Sequence, residues 1–143
     1  MRRILIFAFL FLHLHSGWCE TLLVIAHPEV GIDKLDQQQL KNIYLLKQNS
    51  WPDGTPVIPL NLPATSKQRS LFFEKVLKLD MQTAANIWLQ MHYRGRQPPH
   101  VVSSPQTAVT FTSRVKGAIS YIPAGIETPG VKVVARFQLE NNQ

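Results

Sequence analysis

The sequence predicts an α/β domain, because short apolar runs bounded by proline and glycine alternate with longer segments of helical periodicity. Two signals are sharpest: a capping box in LDQQQLKNIYLLK, residues 35–47, and the turn WPDGTP, residues 51–56. A third is the Ser104–Pro105 pair, which has the N-cap and N1 chemistry of a further helix. No internal repeat, low-complexity tract or second-domain boundary interrupts the alternation.

TLLVIAHP, residues 21–28, is too short for a helix and ends at proline, so it reads as a buried strand. Asp36 then caps a helix, Gln39 completes the box, and Leu35 and Leu40 hold the staple positions. Leu40, Ile43, Tyr44 and Leu46 recur at helical spacing and mark its core face. After the turn, VIPLN at 57–61 reads as a strand that Pro59 pushes towards an edge or an irregular end. A helix over about 66–79 follows, with Leu71, Phe72, Phe73, Val76 and Leu77 on its apolar face. Asp80 caps the next helix, which carries Ala84, Ala85, Ile87, Trp88 and Met91. HYRGRQPPH, 92–100, reads as an exposed basic loop. The Ser104 helix runs through Val115 and stops at Gly117, and AISYI (118–122) and VKVV (131–134) are strands.

The N-terminus has a different character. MRRILIFAFLFLHLHSGWCE joins two arginines, an apolar run from Ile4 to Leu14 and a short polar region, the layout of a secretory signal peptide. The run is shorter than the roughly 20 apolar residues of a membrane span, which argues against a retained anchor. Lipidation at Cys19 needs a small residue before it, and Trp18 is large. The expectation is therefore a signal peptide over 1–19 and one domain over 20–143, exported to the periplasm. Cys19 is the only cysteine, so an intramolecular disulfide is excluded and the fold must rest on its core. Without residues 1–19 the net charge falls from +6 to +4, with 13 basic and 9 acidic residues. That balance suits small anions; the scattered positive charges do not suit nucleic acid.

Candidate chemistry is sparse. His27, His92 and His100 form no close pair and lack structural-zinc spacing, so no metal is expected. Ser113 and Lys116 have Ser-x-x-Lys spacing, but the Ser-Asp-Asn and Lys-Thr-Gly elements that accompany it are missing. No Gly-x-Ser-x-Gly elbow or Gly-rich P-loop occurs, and neither an enzyme nor a cofactor is expected.

PATSKQRSLFF, residues 63–73, is more informative. The first N–H groups of a helix are unpaired and carry partial positive charge. Thr65 and Ser66 can add hydroxyl donors, and Lys67 and Arg69 add charge, so an oxyanion suits this helix start. Equally, Ser66 can serve as an ordinary cap, and residue chemistry leaves both readings open. Ser103 and Ser104 with the Arg94–Arg96 loop form a second candidate of the same kind, for which a simple cap is the plainer reading.

Three segments, LKNIYLLKQNSWPDG, PATSKQRSLFFEKVL and VKGAISYIP, resemble the periplasmic phosphate-binding protein family of ABC transporters. The likeness spans about residues 22–134, with Trp88 and Arg94–Gly95 in order. It implies a single lobe of the type II periplasmic-binding fold: a mixed sheet of about five strands with helices on both faces. It places the anion turn on Ala64, Thr65 and Ser66. The family's arginine upstream of this turn falls near Asn61 or Leu62 and is missing, leaving Arg69 as its substitute from the helix. Pro63 and Ala64 replace smaller turn residues, and Ser120 stands where glycine is usual. The family sequesters its ligand between two lobes, and these residues correspond to one.

The resemblance implies a binding protein for phosphate or a related oxyanion, partnered by a membrane transporter or sensor. The missing arginine and lobe motivate a second expectation: an interaction module that kept the fold, lost its small ligand and contacts a membrane protein or a second copy of itself.

Overall fold

The computed structural model describes residues 19–140. The signal peptide expected over 1–19 lies outside the described residues except for Cys19, which is exposed and opens the first strand. Among the described residues no helix is long and apolar enough to cross a membrane.

The elements are β1 (Cys19–Ala26), α1 (Gln37–Tyr44), β2 (Ile58–Asn61), α2 (Lys67–Leu71, continued as a π-helical turn over Phe72–Val76), α3 (Met81–Tyr93), β3 (His100–Val101), α4 (Pro105–Arg114), β4 (Ala118–Pro123) and β5 (Lys132–Glu140). They form a five-stranded mixed sheet in the order β3-β2-β4-β1-β5. β1 runs antiparallel to β4 and β5, while β2 runs parallel to β3 and β4. Successive residues of β1 and β4 are buried, so both faces of the sheet centre are covered, as expected of an α/β layer structure.

Local chemistry accounts for the helix starts. Asp36, Ser66, Asp80 and Ser104 each accept the N3 backbone N–H, and Asp36 and Gln39 form the reciprocal box. Leu35 and Leu40 are buried at the staple positions. α1 stops at Tyr44, earlier than the spacing to Leu46 suggests, because Leu46 adopts a left-handed φ of 60°. The WPDG turn packs against the start of β4. Gly117 O accepts from Trp51 Nε1 at 2.9 Å and from Ile58 N at 3.0 Å. Gly117 has φ +90°, and a Cβ there would lie 2.1 Å from Pro56 O, so only glycine fits.

Several expectations are corrected or narrowed. Of the two alternatives for Pro59, the irregular strand end holds and the sheet edge does not, since β2 is an internal strand. Ile58 N–H points to β4, so the Pro59 nitrogen faces β3, and β3 pairs only with Leu60 and Asn61 further along. The helix expected over 66–79 widens after Leu71 into the π turn, with Leu77 N donating to Phe72 O at 2.9 Å. That widening lets adjacent Phe72 and Phe73 both enter the core: Phe72 stacks on Tyr121 at 4.0 Å, and Phe73 meets Trp88 edge-on at 5.6 Å. Finally, α3 runs into the expected basic loop as far as Tyr93, His100 belongs to β3, and Arg96 is pinned by Leu46 O at 2.5 Å and by Asn49 Oδ1. β5 also extends well beyond the expected 131–134.

Candidate anion site at the start of α2

β2 delivers the chain to Asn61, where the sheet ends and a tight turn begins. Ser66 N donates to Pro63 O at 2.8 Å, leaving Ala64 and Thr65 exposed at the corner of the turn. Ser66 Oγ then accepts from Arg69 N at 3.3 Å and donates to Gln68 Oε1 at 3.2 Å. The four expected residues, Ala64, Thr65, Ser66 and Arg69, are thus brought together by one turn and the first turn of α2.

Arg69 does not extend into solvent. Its guanidinium folds back so that NH1 donates to Leu62 O at 2.9 Å, and Cζ lies 5.9 Å from the Trp88 ring centroid. Its Nε is buried and finds no acceptor among the described residues. The side chain therefore reaches the chain position where the resemblance puts the missing arginine.

The Leu62 peptide is held from both ends. Its N–H donates to Tyr121 OH at 3.2 Å, its carbonyl takes the Arg69 bond, and Tyr121 OH donates in turn to Asn61 Oδ1. Tyr44 OH donates to Leu60 O at 3.0 Å, and Trp88 Nε1 donates to Tyr44 O at 2.8 Å. Burial pushes the Tyr121 phenol well above its ordinary range, opposed in part by the Leu62 N–H and the Arg69 charge. Burial raises Tyr44 as well, and Tyr121 beside it adds to the rise. Both phenols stay neutral at physiological pH and act as hydrogen-bonding supports beneath the turn.

Sequence reasoning missed Glu20. From β1 its carboxylate pairs with Lys67 Nζ at 2.9 Å and accepts from Gln68 Nε2 at 3.2 Å. An internal anion therefore already offsets part of the positive charge at this helix start. No local spacing announces it, because Glu20 lies 48 residues before Gln68. Tyr121 was visible within GAISYI, but nothing in that segment connects it to Leu62.

The second candidate is not assembled in the same way. Ser104 Oγ accepts from Thr107 N at 3.1 Å, and Ser103 and Ser104 hydroxyls both bond Thr107 Oγ1, at 3.1 and 2.9 Å. Arg94 is the exposed C-cap of α3 and no hydrogen bond joins it to either serine. Among the other candidates, His27 Nδ1 accepts from Glu29 N at 3.2 Å, His100 stacks on Phe111, and Ser113 Oγ donates to Thr110 O at 2.8 Å. Among the described residues no three His, Cys, Asp or Glu side chains converge as a metal site would require.

No protein-family model and no curated protein matches the chain. Solved structures do. An ABC-type phosphate transport receptor from Vibrio cholerae superposes with a TM-score of 0.67 at 19% identity, over 81% of this chain and 46% of that one. A putative phosphate ABC transporter substrate-binding protein from Clostridium perfringens, solved with bound phosphate, gives 0.67 at 16% identity over 81% and 44%. PstS from Borrelia burgdorferi gives 0.65 at 17% identity over 82% and 47%. The chain thus spans about half the length of the structures it matches, and at this identity the likeness is one of fold. What the geometry and the comparisons establish together is the fold of a phosphate-transport substrate-binding protein, over about half of such a receptor.

Proposed function

We propose that this chain is an exported, non-enzymatic solute-binding protein of the periplasm that holds phosphate or a related oxyanion at the start of α2, for an ABC-type transport or sensing system. The observation that carries the reading is Arg69, whose buried Nε finds no acceptor among the described residues, beside a turn bearing Thr65, Ser66 and the first N–H groups of the helix. An oxyanion there takes hydrogen bonds from the Thr65 and Ser66 hydroxyls, with Ser66 turning away from Gln68. It takes charge from Lys67 and Arg69. Isothermal calorimetry of the purified protein with phosphate, sulfate and arsenate tests the proposal: a saturable heat for one of them is expected. No heat and no thermal shift with any of them overturns it.

Glu20 favours a second reading, an interaction module that kept the fold and lost the small ligand. Its carboxylate pairs with Lys67 and bonds Gln68, so the chain itself supplies an anion to the helix start. A silent calorimetric panel, together with association with a membrane transporter or sensor or with a second copy of the chain, fits this reading instead.

A further inference from the structure

We infer that the outer edge of β5 is a homodimerisation edge, where residues Arg136–Glu140 pair antiparallel with the same residues of a second copy. β5 is the last strand of the sheet and, at nine residues, its longest. Such an edge offers a row of unpaired N–H and C=O groups, which proteins ordinarily blunt with proline, bulges or covering loops. Among the described residues the cover is local. Leu35 N donates to Val134 O at 2.9 Å, and the loop 33–37 lines a groove beside residues 133–137. Beyond it, the stretch to Glu140 contains no proline or glycine.

Side-chain chemistry selects the occupant and the register. Arg136, Gln138 and Glu140 are exposed and alternate along one face, while half-buried Phe137 and buried Leu139 lie on the other. Centred on Gln138, antiparallel self-pairing sets Arg136 opposite Glu140 of the second copy twice over, flanking a Gln138–Gln138 pair. On the other face it sets each Phe137 opposite a Leu139, extending the apolar layer across both sheets. Neither Arg136 nor Glu140 has an ion-pair partner among the described residues. Sliding the centre to Arg136 opposes two arginines. It also carries Glu140 of the second copy to Lys132, whose Nζ is already held by Val30 O and Asp33, past the point where Leu35 covers the edge. Of these two registers, the one on Gln138 matches charge at both ends and pairs described residues outside the point where Leu35 bonds the edge.

A contact this small is concentration-dependent, so sedimentation velocity over a dilution series of the purified protein is the measurement. The expected result is a monomer–dimer equilibrium whose dissociation constant rises about tenfold in Arg136→Glu or Glu140→Arg, because each change turns two attractive pairs into repulsive ones. Both substitutions are at exposed positions, and unchanged thermal melts verify that the variants fold. The decisive arm mixes the two single variants. In the mixed dimer both contacts between positions 136 and 140 again join opposite charges, one in each sense, so the mixture must associate more tightly than either variant alone. A wild-type protein monomeric into the millimolar range, association indifferent to both reversals, or a mixture no tighter than its components overturns the proposal. None of these outcomes depends on oxyanion binding.

Discussion

The starts of α2 and α4 use the same local device and differ in everything brought to them from elsewhere. Ser66 and Ser104 both accept the N3 N–H, at 3.3 and 3.1 Å. At α4 the remaining hydroxyls of Ser103, Ser104 and Thr107 bond one another, and Pro105 fills the first helical position. At α2 the neighbours come from three other strands: Glu20 from β1, the Leu62 peptide from the end of β2, and Tyr121 from β4. A serine cap is thus no measure of a site. What separates the two is a part-buried arginine whose buried Nε has no acceptor among the described residues.

Removing Tyr121 OH breaks the comparison most sharply, since α4 has no equivalent support. Tyr121→Phe keeps the stack on Phe72 but strips the partner of Leu62 N–H and of Asn61 Oδ1, both buried. We expect a loss of about 1–3 kcal/mol for each group left unpaired, read from urea unfolding. The same phenol, with Tyr44, sets an alkaline limit. Their folded pKa values lie above the unfolded value of about 10, so the stability they contribute is complete below that pH and lost as pH rises beyond it. A melting temperature that holds level above pH 10 contradicts this.

Arg69→Ala is next. It removes the donor to Leu62 O and the contact with Trp88, at an expected cost of about 1–2 kcal/mol in urea unfolding, and under the proposed function it should abolish the calorimetric oxyanion signal. Arg94→Ala, at an exposed cap, should stay within about 0.5 kcal/mol and leave binding alone. The paired cap deletions are subtler. Ser66→Ala and Ser104→Ala should each cost about 1 kcal/mol in thermal or urea unfolding, but only the first should weaken oxyanion affinity. Equal binding in both variants moves the site away from α2. Glu20→Gln removes a pair between an exposed lysine and a part-buried carboxylate, worth about 1 kcal/mol at most in urea unfolding. Its sign on binding is the sharper readout: with the internal carboxylate neutralised, calorimetry should find tighter phosphate binding than in the wild type.

What local chemistry dictates was legible from residues alone. Asp36, Ser66, Asp80 and Ser104 were each readable as caps because capping spans only three residues, and Pro52, Asp53 and Gly54 announced their turn for the same reason. The four residues of the candidate turn were legible too, being contiguous or one helical turn apart. Less local features escaped. The π turn arises because Phe72 and Phe73 must both be buried, a demand set by Tyr121 and Trp88. β3 is only two residues long and exists through pairing with Leu60 and Asn61. Whether Arg69 points outward or folds back depends on Leu62 and Trp88, and the charge balance at Ser66 depends on Glu20. Residues close together in the chain were enough to specify where helices start, where the chain turns and which residues share the α2 start. Tertiary structure alone decided what that start faces, because the groups that clamp Leu62 and pair with Lys67 meet only once β1, β2 and β4 lie in one sheet.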